Sequence, residues 1–290
     1  MHDLKIYDVR SVPGDSAFLL DDGKTSILYD SGFAFTGFAV AENIKKVLGY
    51  RSLDYIFLTH SHYDHALGSV YAKRYYPDAV VVAGEYASKI FAKDSAKAVM
   101  RDLDRKYASK CNVFEYEDLI DDLSVDFAVS DGDDIRAGDM IFKAIHLPGH
   151  TKCSFGFYLE KNKLLLGSET IGVYAGKFPV VPSYLIGYDI TMQSINKVKM
   201  LDIKNVLTPH YGLLDEKTTQ KYILDGEKSA YDTAQGILAV LKKGGDVAQA
   251  IEYFKEKFYY GYVKEIYPVD AMELNTSIMV NLINKEFLGE

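Results

Sequence analysis

The stretch "LTHSHYDHALGS", residues 58 to 69, places three histidines and an aspartate in the six positions from His60 to His65, in a chain of 290 residues with only 7 histidines. Imidazole nitrogens and carboxylate oxygens together are the donors that first-row transition metals take. His60 and His62 are alternate residues of an extended segment, so they share a side. The chain then turns toward a helix, and Asp64 and His65 can face the same space from another angle. Near a helix N-terminus the charge of Asp64 is also favoured. Four donors in six residues exceed what one ion usually takes from one loop, so the economical reading is two adjacent ions sharing it. The plainer alternative is a solvated loop, but random placement rarely crowds scarce histidines in this way.

Two ions need more ligands, and three other segments offer them. "AIHLPGHTKCSF" brings His150 after a strand and a Pro-Gly turn, "LLLGSETIG" brings Glu169 after an apolar strand, and "NVLTPHYG" brings His210 after a strand and a proline. Loops that follow strands collect at one sheet edge. Alone, His150 or His210 would more often be structural and Glu169 a surface acid; beside the cluster they read as ligands. His146 sits inside an apolar strand and reads as a packed or hydrogen-bonded side chain. His2 reads as a disordered or exposed terminal residue, and Cys153 as a buried, inert thiol.

The elements that must position these residues follow from pattern. "LKIYDVRSV", "SAFLLDD" and "TSILYDSG" read as strands separated by Pro-Gly and Asp-Gly turns. Apolar spacing near 3.6 predicts a helix over 37–48, stopped by Gly49. "LDYIFLTH" is a buried strand that delivers His60 to its end, "HALGSVYAKRYYP" a helix stopped by Pro77, and "AVVVAG" another buried strand. Residues 84–124 read as helices and loop, and 125–170 as a return to strands. "DITMQSINKVKML" is an amphipathic helix, and "KNVLTPH" a strand ending at His210. Strand and helix blocks thus occur once in each half, which predicts two βα layers facing each other. After residue 216 the pattern is helical to the end. We therefore expect two parts, a metal hydrolase domain over 1–215 and a helical extension over 216–290 packed on it.

Bulk properties exclude some functions. Apolar residues make up 48% and charged residues 26%, which fits a globular enzyme. The net charge of −8, from 33 basic and 41 acidic residues, argues against a nucleic-acid partner. The two cysteines, Cys111 and Cys153, make no disulfide framework, so a reduced, cytoplasmic setting is expected. "MHDLKIYDVR" has no apolar signal region, and no run approaches the roughly 18 apolar residues of a membrane span.

With these residues in view, "THSHYDH" resembles the H-x-H-x-D-H signature of the metallo-β-lactamase superfamily. "LPGHT", "GSET" and "TPHYG" are similar to its later motifs, in the same order, over roughly residues 4 to 215. The resemblance implies an α/β (α+β) chain folded as a four-layer αββα sandwich, with a dinuclear site at one edge of its two sheets. It implies that His60, His62 and His150 hold one ion, and Asp64, His65 and His210 the other. Glu169 falls where the family usually has a bridging aspartate, and Asp30, in "ILYDSG", matches an acid that supports the ligands from behind. Three positions stand out. Glu169 is one methylene longer than aspartate, Cys153 stands where the family often has glycine, and His62 replaces the acid that marks the flavodiiron branch. The C-terminal helices resemble those covering the active site in a bacterial quorum-sensing thioesterase member, with "DITMQSI" in a comparable place.

The expectation is a hydrolase with two divalent ions, Zn, Fe or Mn, that uses a metal-bridged hydroxide on a small ester, thioester, lactone or phosphodiester. Asp64 would bind metal and orient the nucleophile. Tyr211, or Tyr184 or Tyr188 in "PSYLIGYDI", would donate to the developing oxyanion. The expected partner is a small-molecule substrate, with no nucleic acid and no membrane, and a homodimer is possible. The alternative is a metal-bound signalling or scaffold protein with little turnover, its helical extension serving as a partner surface. Substrate choice should lie in 84–124, 172–188 and the C-terminal helices, because function in such folds is set by loops.

Overall fold

The computed structural model describes residues 4–289, and His2 lies outside them. The chain divides into two units: one runs to His146 and includes Phe155–Lys161, and the other comprises Leu147–Ser154 and the chain from Asn162 onward.

The first unit begins with an antiparallel meander of β1 (Lys5–Asp8), β2 (Phe18–Asp21) and β3 (Ser26–Tyr29). The β2–β3 turn follows its sequence. Asp22 Oδ1 accepts the N–H groups of Lys24 and Thr25, and Gly23 takes a φ of 87° that a side chain would resist. The sheet then continues in parallel, which requires crossovers. α1 (Gly37–Leu48) leads to β4 (Tyr55–Phe57), α2 (Tyr63–Ala66) and α3 (Gly68–Tyr75) lead to β5 (Val80–Gly84), and α4 (Glu85–Phe91) and α5 (Asp94–Lys110) lead to β6 (Phe127–Val129). The antiparallel set of β7 (Asp134–Ala137), β8 (Met140–His146) and β9 (Phe155–Leu159) packs face to face on this sheet. The Phe57 ring lies 5.2 Å from that of Phe142 and 4.8 Å from that of Phe157.

α1 spans the predicted 37–48, with Val40, Ala41, Ile44 and Leu48 buried and Gly49 at its end with a φ of 64°. Three features differ from the sequence reading. The helix expected over 65–77 is two helices, because Gly68 N–H bonds the Gly32 carbonyl at 3.0 Å, while the Asp64 carbonyl it would have used accepts from Ser16. β6 belongs to the first sheet rather than to the later strand block, because α4 and α5 return the chain to the edge of β5. β7 is too short to stand out as a separate strand, although exposed Asp134 and Arg136 alternate with buried Ile135 and Ala137.

In the second unit, β10 (Leu164–Leu166) pairs in parallel with β11 (Asn205–Thr208) across the crossover helix α6 (Tyr188–Lys199), and β11 turns back into β12 (Gly212–Leu213). Four helices follow: α7 (Glu216–Lys242), α8 (Val247–Phe258), α9 (Tyr262–Ile266) and α10 (Val269–Leu288). α7 starts at Asp215, whose side chain accepts the Thr218 N–H at 2.7 Å, and α8 starts on an Asp246–Gln249 capping box. Ala234 and Ile237 of α7, Phe254 and Phe258 of α8 and Met279 and Ile283 of α10 bury one core with Tyr184, Tyr188 and Ile195. Glu286 of α10 accepts the N–H groups of Tyr188 and Asp189, placing an anion on the positive end of α6. Mixed sheets flanked by helices, with a C-terminal helical region, give the α/β class that the sequence implies. Among the described residues no helix is long and apolar enough to cross a membrane.

Two buried features of the first unit generate predictions. Asp104 of α5 accepts the Ala34 N–H at 2.8 Å and the Tyr116 hydroxyl at 2.5 Å, tying α5 to the loop after β3. Burial, reinforced by nearby Asp15, pushes its pKa from 3.8 up to about 6. The native state therefore holds this proton more tightly than the unfolded chain. The favourable contribution is complete below about pH 4 and is lost as the pH rises through about 6. Urea midpoints of wild type and Asp104→Asn should show the stability difference moving in favour of the variant by up to about 3 kcal/mol between about pH 4 and 7. A difference that ignores pH would contradict this. At Gly68, an added Cβ would lie 1.8 Å from the Ser31 carbonyl oxygen. Gly68→Ala should therefore lose about 1–3 kcal/mol in the same assay.

Candidate metal centre

In the first unit, β4 stops at Phe57, and Thr59 N–H donates to Asp30 Oδ1 at 2.8 Å, which turns the following loop. His62 is the extended residue before α2, so Asp64 falls in the first turn and His65 follows it. His60 and His65 are fully buried, with ring centroids 4.1 Å apart, and the half-buried His62 ring lies 4.6 Å from His60.

Asp30 organises this set. Its Oδ2 meets His65 Nδ1 at 2.7 Å and takes the Ser16 hydroxyl at 2.9 Å. The Thr59 hydroxyl lies 3.0 Å from Asp30 Oδ1 and 3.0 Å from His60 Nδ1. A carboxylate accepts only, so His65 carries its proton on Nδ1 and offers the Nε2 lone pair. If the Thr59 hydrogen goes to Asp30, His60 Nδ1–H donates to Thr59, and His60 likewise offers Nε2. Ser31 N–H and Oγ both donate to the His65 carbonyl, at 2.7 and 2.8 Å. Asp30 itself has a φ of 50°, left-handed for a residue other than glycine. That strain is held in place by its buried bonds. Asp64 Oδ2 lies 3.6 Å from His65 Nε2, on a side chain that keeps some exposure.

The second unit carries the other three candidates. His150 follows Gly149, whose φ of 152° and missing Cβ admit Thr170 and Thr191 close by. His150 Nδ1 lies 2.9 Å from both the carbonyl and the hydroxyl of Ser183, which orients the ring and directs Nε2 to Glu169 Oε2 at 2.8 Å. Glu169 opens a 3-10 turn, Glu169–Ile171, capped by the Ser168 hydroxyl. Its other oxygen, Oε1, meets His210 Nε2 at 3.1 Å. Each oxygen of one buried carboxylate therefore faces a separate imidazole. His210 has a φ of 62°.

All seven sequence candidates lie among the residues able to hold a metal ion: His60, His62, Asp64 and His65 of the first unit and His150, Glu169 and His210 of the second. The donor chemistry fits: five imidazoles and two carboxylates without a thiolate suit borderline and hard first-row ions. The buried carboxylate of Glu169 also needs a positive partner to offset its desolvation. The residues therefore fit a metal site.

Other sequence candidates have different surroundings. His146 stacks on Phe155, with centroids 5.0 Å apart. Cys153 is fully buried beside the Thr151 hydroxyl and outside both metal-ligating groups. Tyr184 is fully buried, and Tyr188 packs its ring on Tyr184 and Phe287. Tyr211 is 41% exposed, and its ring meets that of Tyr174 edge-on. Sequence reasoning missed Ser16, which bonds Asp30, and Thr59 and Ser183, which meet the Nδ1 atoms of His60 and His150. Thr59 stands inside the motif and was there to be read; Ser183, 33 residues from His150, gives no local signal.

The comparisons agree with this arrangement. A protein named Glyoxylase B2 from Dictyostelium discoideum is 24% identical over 168 residues, covering 55% of this chain and 53% of that protein. An uncharacterized protein of Aquifex aeolicus is 41% identical over 46 residues, 16% of this chain and 22% of that protein, so the chain spans about half of the first relative's length and less of the second's. In fold, the chain is similar to a metallo-β-lactamase family protein of Thermus thermophilus, with a TM-score of 0.65 at 16% identity over 99% of this chain and 94% of that one. It is also similar to an archaeal metallo-β-lactamase superfamily protein of Sulfolobus tokodaii, with a TM-score of 0.57 at 20% identity over 77% and 85%. The family model described as the metallo-beta-lactamase superfamily matches residues 12–210, the span that carries every candidate ligand, and the chain belongs to that superfamily.

Proposed function

We propose that the chain is a dinuclear metal-dependent hydrolase of a small ester, thioester, lactone or phosphodiester. In this reading His60, His62 and His150 would hold one ion, Asp64, His65 and His210 would hold the other, and Glu169 would serve as a further carboxylate donor. The observation that carries the reading is the carboxylate of Glu169, whose two oxygens each face a different buried imidazole, 2.8 Å from His150 and 3.1 Å from His210. A single acid so divided is suited to link two cations. When bound, such ions supply Lewis-acid activation of water and of the electrophilic group.

The chain's own residues supply the rest. Asp30 keeps His65 in the tautomer that offers Nε2, and Ser183 orients the His150 ring. Asp64, beside His65 and partly open to solvent, accepts the proton of the attacking water. Tyr211, exposed next to His210, donates to the oxyanion that develops on the substrate. The Dictyostelium relative's name, Glyoxylase B2, supports an enzyme over a scaffold with little turnover.

The reading predicts hydrolysis of at least one class in a panel of small esters, thioesters, lactones and phosphodiesters. Exhaustive chelation should abolish it, and added Zn, Fe or Mn should restore it. His62→Ala should lower kcat/KM by about 100-fold or more while far-ultraviolet circular dichroism stays unchanged. Full turnover by the metal-stripped protein, or none by the fully loaded protein on every class, would refute the assignment.

A further inference from the structure

β11 and β12 form a hairpin in which Thr208 pairs with Gly212, and the Thr208 hydroxyl closes its base on the Gly212 carbonyl at 2.9 Å. The connection is Pro209, His210 and Tyr211. Tyr211 N–H donates to the Pro209 carbonyl at 2.8 Å, and His210 between them has a φ of 62°. A hydrogen bond of that span around a residue of positive φ defines the rarer, strained γ-turn. The strain falls on a candidate metal ligand that lacks glycine's freedom. Such a conformation persists only where its surroundings over-determine it.

The surroundings come from the C-terminal helices. The Tyr262 hydroxyl donates to the His210 carbonyl at 2.5 Å, across 52 residues of chain. Its ring meets that of Tyr211 at 90°, with centroids 5.9 Å apart, and Tyr211 in turn meets Tyr174 at 4.7 Å. Tyr262 opens α9 directly after Gly261, which has a φ of 54° and whose added Cβ would lie 2.2 Å from the Phe178 ring. The glycine lets α9 start close against Phe178 and brings the Tyr262 hydroxyl to the turn. The carbonyl it holds belongs to the His210–Tyr211 peptide, the same peptide whose N–H closes the turn on Pro209, so the hydroxyl keeps that peptide in place; its release would let the turn open and carry the imidazole away from Glu169.

We propose that Tyr262 is a positioning residue of the metal centre: its hydroxyl locks the strained turn that aims His210, so the helical extension completes the ligand set. This rests on the reading of His210 as a metal ligand. The Tyr262 ring holds Tyr211 in place, and the hydroxyl alone holds the turn, so Tyr262→Phe separates the two contributions.

The test is cobalt(II) titration of the metal-free protein, followed by visible absorption, for wild type, Tyr262→Phe and Tyr260→Phe. Tyr260 packs on Phe178 with centroids 5.3 Å apart and serves as the neighbouring control. Wild type and Tyr260→Phe should bind cobalt alike. Tyr262→Phe should lose about tenfold or more in affinity at one binding step and show an altered spectrum, with the melting temperature of its metal-free form close to wild type. In a His210→Ala background the same substitution should cost no further affinity, since the two act through one ligand. Wild-type titration by Tyr262→Phe overturns the proposal, as does equal loss in Tyr260→Phe or additive loss with His210→Ala. A wild-type protein that takes up no cobalt overturns the hydrolase reading and this proposal with it.

Discussion

A buried carboxylate must have its lone pairs satisfied, and around Asp30 that requirement shapes the ligand loop. Asp30 reaches Thr59, Ser16 and His65 at once, so the end of β3, the end of β4 and the start of α2 are tied to one residue. Its φ of 50° shows the backbone accepting strain to bring the carboxylate under the histidines. The grip on His65 is double, through the ring by Asp30 and through the carbonyl by Ser31. Tautomer and orientation are thereby set before any ligand binds, which lowers the reorganisation that binding a cation would demand.

The second unit meets the same requirement differently. Its acid, Glu169, stands between two imidazoles rather than behind one, and the histidines are steadied by backbone carbonyls and turns. Ser183 holds the His150 ring and Tyr262 the His210 backbone. Both supports come from segments that also build the helical core, since Tyr184 and Tyr188 sit in it beside Phe254 and Ile283. The C-terminal helices therefore do more than add mass. They complete the core beneath the loop that carries Ser183, and Glu286 of α10 fixes the start of α6 through its backbone N–H groups. The superfamily model ends at residue 210, and the helices that follow lie beyond that span.

Much of this was legible in the amino-acid order because the signals are local. Scarce histidines crowded between an apolar run and a helical pattern reveal a ligand loop, and the same grammar of apolar strand followed by Gly or Pro located His150, Glu169 and His210. α1 matched its predicted span because periodicity and a terminal glycine agree. The break between α2 and α3 was not legible, since it depends on Gly68 and Asp64 backbone groups choosing partners at Gly32 and Ser16. β6 was read as a strand, but the sheet it joins was not legible for a related reason: only the path of α4 and α5 decides which edge a short strand joins.

The sequence by itself determined the superfamily, the α/β class and the candidate metal-binding residues of the chain, because residue type and near-neighbour spacing carry all three. Only the tertiary structure decided which nitrogen each histidine presents, how Glu169 divides its oxygens and which distant residue restrains His210. Those outcomes depend on hydrogen bonds between residues tens of positions apart. No pattern along the chain records such a bond until folding brings its partners together.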